Sequence, residues 1–168
     1  MPPLEHLRDQ AADPFSPLVS IPESALLAEF PSPDAKRRVL EAIGAGDRTQ
    51  ANIAATAGNL PSGTLAPVLE QLRTVKRVVG REQPLSTRAG KPALFHIADT
   101  NLRWFLAIGH SVQEYARRGQ TELGHRIIER RWSAWCGKAV EPLVSESLEM
   151  AAIGGRLPWS EVEAVGGW

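Results

Sequence analysis

Hydrophobic positions recur at helical spacing in the middle of the chain. Val39, Leu40 and Ile43 fall on one face of a helix. The residues before them, at 32–34, are a serine, a proline and an aspartate, which are typical of a helix start with the serine as cap. Two glycines within residues 44–46 are expected to stop this helix.

Two more short helices are predicted downstream. Thr49 is placed to cap the second helix, which turns Ile53, Ala54 and Ala57 inward. Residues 58–61 contain glycine, asparagine and proline and predict a turn. A third helix starts at Ser62 or Thr64, tolerates Pro67 near its first turn, and carries the apolar stripe Leu65, Val68, Leu69 and Leu72.

The hydrophobic period then changes to that of strands. Residues 78–82 and 93–97 are short runs rich in valine, isoleucine and phenylalanine, whereas 83–92 holds two prolines and a glycine and predicts a loop. Three short helices followed by a β-hairpin are the order of a winged helix-turn-helix. We therefore predict a mainly α fold with a small β-hairpin, in which residues 32–99 form a winged helix-turn-helix.

The C-terminal third is predicted to be helical. A first helix follows Asp99 and ends at Gly119, and a second begins at Thr121. Gly137 breaks the pattern, so we predict a separate third helix over about 139–151 with a proline in its first turn. Its inward-facing residues are predicted to be Val140, Leu143, Val144 and Leu148.

The remaining boundaries follow from composition. Residues 100–153 form the helical region, and 154–168 contain a loop and the approach to a strand. A strand without a partner leaves backbone groups unsatisfied, so we expect 154–168 to be the start of a truncated C-terminal domain. Residues 1–31 form a Pro-rich acidic leader with a short helix, whose first 17 or so residues we expect to be irregular.

The net charge is zero, but the charges are segregated. Residues 1–35 hold one basic and six acidic side chains, whereas residues 36–98 hold ten basic and four acidic ones. A basic segment is the electrostatic footprint of a phosphate-binding surface, although a solvated surface is an equal alternative on charge alone.

A helix fits the DNA major groove, so the third helix and the hairpin form the candidate nucleic-acid interface. The outer face of the third helix offers few base-reading side chains, and Glu70 would repel phosphates. We therefore expect weak, salt-sensitive and poorly specific DNA binding. The alternative is that this unit docks onto another protein domain. The candidate DNA-binding residues are Thr64, Gln71, Arg73, Lys76, Arg77, Arg81, Arg88 and Lys91.

Several functional classes are excluded by composition. No apolar run is long enough to cross a bilayer, and the N-terminus has no secretion signal, so we expect no membrane partner. Cys136 is the single cysteine, which fits a reducing, cytoplasmic location. The four histidines and this cysteine have no zinc-ligand spacing, and we predict neither a metal nor a cofactor.

From about residue 16 onward, short segments in a fixed order resemble the C-terminal half of prokaryotic AAA-type ATP-binding proteins. The segments are SPL at 16–18, LAEFP at 27–31, RVLEAIG at 38–44, PLS at 84–86, FHIAD at 95–99, LRWFL at 102–106, GKAVEPL at 137–143 and VGGW at 165–168. The resemblance implies an ATPase domain upstream, then a winged helix, a helical linker and a domain similar to PD-D/E-x-K nucleases.

The sequence departs from that family at its chemistry. A P-loop needs the pattern G-x-x-x-x-G-K-[ST], and neither Gly-Lys pair here, at 90–91 and 137–138, satisfies it. Glu141 matches the first acidic position of the nuclease-like pattern, but the further carboxylates and the lysine of that pattern are missing. An ordinary acid near a helix start is the simpler interpretation of Glu141.

Three hypotheses follow. The first is a non-catalytic fragment of an AAA-type ATP-binding protein whose winged helix binds DNA or the ATPase domain. The second is a stand-alone DNA-binding transcriptional regulator, and the third is an incomplete nuclease subunit that uses Glu141. Apolar surface left exposed also predicts self-association.

Overall fold

In the computed structural model, which describes residues 3–32, 34–85, 90–159, 162 and 165, the protein is mainly helical with one antiparallel hairpin. A single turn of π-helix, Phe105–Gly109, joins the helices Thr100–Trp104 and His110–Arg117. The other elements, in chain order, are α1 Pro3–Ala12, α2 Pro17–Glu29, α3 Ala35–Ala45, α4 Gln50–Thr56, α5 Ser62–Thr74, β1 Val79–Glu82, β2 Leu94–Ile97, α6 Thr100–Trp104, α7 His110–Arg117 and α8 Thr121–Ile153.

The prediction of an irregular start was wrong, because α1 is a packed helix. Leu4, Leu7 and Ala11 share one face of α1, and Ala11 is fully buried. The Gln113 side-chain Nε2 donates a 2.6 Å hydrogen bond to the carbonyl oxygen of Ala11, and Arg8 pairs with Glu129 on α8. Proline is tolerated in a first helical turn, so the proline content of the leader did not prevent a helix there.

The three-helix unit α3–α5 has the predicted elements, with one corrected cap. The Asp34 carboxylate accepts a 3.1 Å hydrogen bond from the Arg37 N–H, so Asp34 and not Ser32 caps α3. Thr49 caps α4 as predicted, through a 3.3 Å bond from the Asn52 N–H. Helix α5 begins at Ser62, the earlier of the two predicted starts.

The hairpin is paired over four residues of each strand. Val79 lies opposite Ile97, and Gly80 lies opposite His96. A Cβ atom at Gly80 would overlap the imidazole of His96, so the ring lies directly against the opposite strand. The tight contact fixes the position of His96 on the sheet.

The helix that was predicted after Asp99 is continuous through α6, the π-turn and α7. The Asp99 carboxylate caps it through a 2.6 Å hydrogen bond from the Leu102 N–H, and Gly119 ends it with a positive φ of 71°. A Cβ atom at Gly44 of α3 would overlap the Leu106 side chain in the π-turn. The close approach requires glycine at this point of α3.

The predicted break at Gly137 is wrong, because α8 runs without interruption from residue 121 to 153. A single glycine lowers helix propensity by about 1 kcal/mol, which a long helix tolerates. Pro142 lies inside the same helix and not in the first turn of a new one. Thr121 was predicted to cap α8, but Gln120 occupies the cap position and makes no side-chain capping bond.

One hydrophobic core extends from α1 to α8. It is formed by buried side chains that include Val19 of α2, Leu40 of α3, Phe105 of the π-turn and Ile128 of α8. None of the described helices has the length and hydropathy that a membrane span needs. Of the predicted C-terminal strand approach, Val162 and Val165 lie outside helices and strands, and the rest falls outside the described residues.

Candidate functional site

The predicted nucleic-acid interface on α5 and the hairpin is only partly brought together. Arg73 and Arg81 line one shallow groove between α5 and the hairpin, together with Glu70 and Gln50. Glu70 holds Arg73 in an ion pair of 2.9 Å between Nη2 and Oε1. A carboxylate therefore occupies the groove where a DNA phosphate would have to approach.

The other candidates are spread around this groove. Thr64 is exposed on the first turn of α5, and Gln71 is half-buried. Lys76 pairs with Glu29 of α2, and its Nζ lies 5.8 Å from the centre of the Phe30 ring. Arg77 is exposed and has a positive φ of 55°, which is unusual for arginine.

Two hairpin candidates complete the set. The backbone carbonyl oxygen of Lys91 accepts a 2.7 Å hydrogen bond from Gln83 Nε2, so Lys91 lies at the base of the hairpin loop. Arg88 lies outside the described residues.

A second concave site was not predicted from the sequence. A cleft of about 260 Å³ lies where the end of α3, strand β2, α6 and the π-turn face the middle of α8. No acidic side chain lines this cleft among the described residues. We call it the cationic cleft, and its charged lining residues are Arg48, Arg103, Arg130, Arg131 and Lys138, with His96 beside them.

Two of these cations, Arg131 and Arg48, are held in place by bonds. Arg131 Nη1 donates a 2.6 Å hydrogen bond to the Ala107 carbonyl oxygen in the π-turn. Lys138 Nζ lies 3.8 Å from the position that a Cβ atom at Gly46 would take. Arg48 pairs with Glu82 on β1. The cleft is therefore rimmed by positive charge that the fold positions from both sides.

The floor of the cationic cleft is apolar. Ile43, Ile97 and Ile108 line it, and Trp135 adds an aromatic face. The Trp135 indole stacks on Trp132 with ring centres 5.4 Å apart, and its buried N–H has no hydrogen-bond acceptor in the described part of the chain. A ligand with both a charged end and an apolar end matches this lining.

Burial and like charge lower the pKa of two lining residues. Burial lowers the pKa of His96, and the nearby Arg103 and Arg48 lower it further, whereas Glu141 raises it. Burial and Arg48 also lower the pKa of Arg103. A neutral imidazole is therefore the favoured form of His96 at neutral pH.

Glu141 lies in a neighbouring polar space rather than in the cationic cleft. Together with Glu146 and Glu149 of α8 and Glu82 of β1, it lines a second cleft that Arg48 and Lys138 share. No group of three or more potential metal ligands is present among residues 3–32, 34–85, 90–159, 162 and 165.

The outer side of α8 carries a different surface. We call Val140, Leu143, Val144 and Leu148 the apolar stripe, because a rotation of about 100° per residue places them on one face. These four side chains are 49%, 63%, 53% and 39% exposed, respectively, so the prediction that they face inward was wrong.

The inward side of the same half of α8 is polar. Ser145 and Glu149 line the space next to the hairpin and lie on the helix face opposite the apolar stripe. The C-terminal half of α8 is exposed on both sides, so its apolar stripe is left uncovered, whereas an ordinary surface helix buries its apolar side.

Comparison with protein-family models, curated proteins and solved structures finds no match. The function must therefore be inferred from the surfaces themselves. The cationic cleft escaped sequence reasoning because its residues are spread over nearly a hundred positions. The one available signal was the seven-residue spacing of Arg131 and Lys138, which places both on one face of a helix.

Proposed function

We propose that the chain is a non-catalytic docking module whose binding surface for another protein domain is the apolar stripe on α8. The observation that carries this proposal is the exposure of four large apolar side chains on one face of α8. Exposed apolar side chains at helical spacing are the features by which a helix binds in the groove of a partner.

We further propose that the three-helix unit α3–α5 and its hairpin form a winged helix within this module. The order α3, α4, α5, β1, β2 is the order of winged helix-turn-helix modules. We propose that this unit anchors the base of α8 by packing against α6 and the π-turn. The resemblance to AAA-type ATP-binding proteins makes an ATPase domain the partner that we propose for the apolar stripe.

Duplex DNA is the second candidate partner, favoured by Arg73 and Arg81 in the groove between α5 and the hairpin. Two ion pairs weaken this candidate. Arg73 is neutralised by Glu70, and Lys76 by Glu29. A phosphate would have to displace these carboxylates, so DNA binding would be weak and lost at moderate salt.

Docking is tested by affinity purification of the tagged full chain from its native cells. We expect a P-loop ATPase chain to co-purify with the wild type and to be lost with the double substitution Leu143→Asp and Leu148→Asp. The matched control is Ile21→Asp with Leu27→Asp, which makes the same change at two exposed apolar positions of α2, away from the stripe. Equal retention by the stripe variant, or a wild type that pairs only with itself, would contradict an ATPase-domain partner.

DNA binding is tested separately by fluorescence anisotropy with a labelled duplex. We expect the wild type to bind weakly at low salt and not at physiological salt. At low salt, Arg81→Gln should weaken this binding, whereas Arg126→Gln should not. Tight, sequence-selective binding at physiological salt would instead support a transcriptional regulator. Metal-dependent DNA cleavage that disappears in Glu141→Gln would support the nuclease alternative.

A further inference from the structure

We propose that the cationic cleft is a binding site for a compact organic phosphate, with the phosphate at the charged rim and an apolar or aromatic ring on the floor. This inference is independent of docking by the apolar stripe. It depends on residues contributed by α3, β2, α6, the π-turn and α8.

The charge balance of the cleft favours an anion with more than one negative charge. Five cationic side chains line it, of which Arg48 is paired with Glu82, and the nearby Glu141 offsets part of the charge of Arg103. Arg103, Arg130 and Lys138 form no ion pair with any residue in the described part of the chain. A phosphate group carries close to two negative charges and several acceptor oxygens, which suits several converging cations.

The shape of the cleft favours a small ligand. A volume of about 260 Å³ lies near the lower limit of roughly 300 Å³ typical of small-molecule sites. Ala107 and Ala134 supply apolar contact, and the Trp135 ring supplies a flat surface for stacking.

The fold fixes this arrangement before any ligand arrives. Arg131 is tied to the Ala107 carbonyl oxygen, which belongs to the π-turn. Single π-turns within helices often occur at functional sites. Gly46, with a positive φ of 119°, leaves the space beside which the Lys138 ammonium lies. Preorganised cations lose little entropy on binding, which raises affinity.

The test is isothermal titration calorimetry of the full chain with inorganic pyrophosphate and with AMP, at low ionic strength. We expect saturable binding of both, with AMP also changing tryptophan fluorescence through Trp135. The double substitution Arg130→Gln and Lys138→Gln should weaken binding by about tenfold or more, because each cation makes a charge-assisted hydrogen bond.

The matched control removes the same charge elsewhere. Arg126→Gln with Arg156→Gln alters two exposed cations that do not line the cleft, and it should leave both affinities unchanged. Thermal melting confirms that each variant is folded. Equal losses in the two double variants, or no saturable binding by the wild type, would overturn the proposal.

Two further measurements are needed. One distinguishes a small phosphate ligand from a nucleic-acid backbone, and the other distinguishes the cationic cleft from the apolar stripe. A single-stranded oligonucleotide that binds through Arg130 and Lys138, when neither pyrophosphate nor AMP binds, would overturn the small-ligand assignment in favour of a nucleic-acid backbone. The apolar-stripe variant, Leu143→Asp with Leu148→Asp, should bind AMP as the wild type does. Its loss of partner with retained AMP binding therefore distinguishes the two proposals.

Discussion

At the scale of single residues, glycine allows close packing between elements at some positions and not at others. Gly44 lets α3 approach the π-turn so closely that a Cβ atom would overlap Leu106. Gly137, by contrast, has no atom within 4 Å of the position of an added Cβ. Both glycines were interpreted as helix stops: α3 does end within residues 44–46, with Gly46 as its cap, whereas α8 continues through Gly137. Sequence alone does not distinguish a glycine required by close packing from one that is merely tolerated.

The two glycines predict opposite effects of the same substitution. Gly44→Ala should lower the free energy of unfolding by about 1–3 kcal/mol, because the Leu106 Cβ must shift with its backbone. Gly137→Ala should raise it by about 0.5–1 kcal/mol through helix propensity. Chemical denaturation measures both, and a Gly44→Ala variant as stable as the wild type would contradict the close approach.

His96 predicts a pH dependence of stability. Burial, Arg103 and Arg48 lower its pKa in the folded state below the ordinary value of about 6.5. As the pH falls below about 6.5, the unfolded chain binds a proton that the folded chain does not yet accept, so unfolding becomes more favourable. Stability is lost on acidification until the pH passes below the folded pKa.

The measurement is the melting temperature of wild type and His96→Gln between about pH 7.5 and 5. We expect a smaller loss on acidification in His96→Gln than in the wild type, because the substituted side chain does not titrate. Parallel curves for His96→Gln and wild type would refute this role of His96.

At the scale of elements, local patterns predicted most of the fold. The Thr49 cap, the buried face of α5 and the paired hairpin were predicted correctly from short-range spacing. Errors arose where distant contacts decide the outcome. Helix α1 is stabilised by packing on α7 and α8, as its Ala11–Gln113 hydrogen bond illustrates, and no local pattern contains that information.

Helix α8 should differ in stability along its length. Its first half is packed, with Ile128 fully buried, whereas its second half exposes Leu143 and holds Pro142, which removes one backbone hydrogen bond. We expect amide hydrogens beyond about residue 138 to exchange much faster than those near Ile128.

Native-state hydrogen exchange measures this difference. Pro142→Ala should slow exchange in the second half, because proline costs up to about 3 kcal/mol inside a helix. Ala134→Gly is a control with the opposite effect: it weakens the helix before the proline, so it should speed exchange. Uniform protection along α8 in the wild type would show that its two halves unfold together.

At the scale of the whole molecule, the segregated charges partly neutralise one another. The acidic leader supplies Glu29 to Lys76 of the basic segment and Glu23 to Arg117 of α7. Composition correctly located the basic segment but not its partners, because ion pairs between distant segments depend on the tertiary fold. The cationic cleft was unpredicted for the same reason.

The exposed apolar stripe predicts concentration-dependent self-association. Leu143 and Val144 are each more than half exposed, and burying them against another copy removes apolar surface from water. Sedimentation velocity at increasing protein concentration should show a rising mean mass. Leu143→Asp with Leu148→Asp should abolish that rise, whereas a wild type that stays monomeric at high concentration would contradict the prediction.

The two-sided character of α8 has a consequence for regulation. The same helix supplies both the rim of the cationic cleft, through Arg131 and Lys138, and the apolar stripe on its outer side. If phosphate binding favours one position of this helix, it changes the affinity for the docking partner, and the partner changes the affinity for phosphate by the same factor. The helix would then couple a metabolic signal to an assembly state.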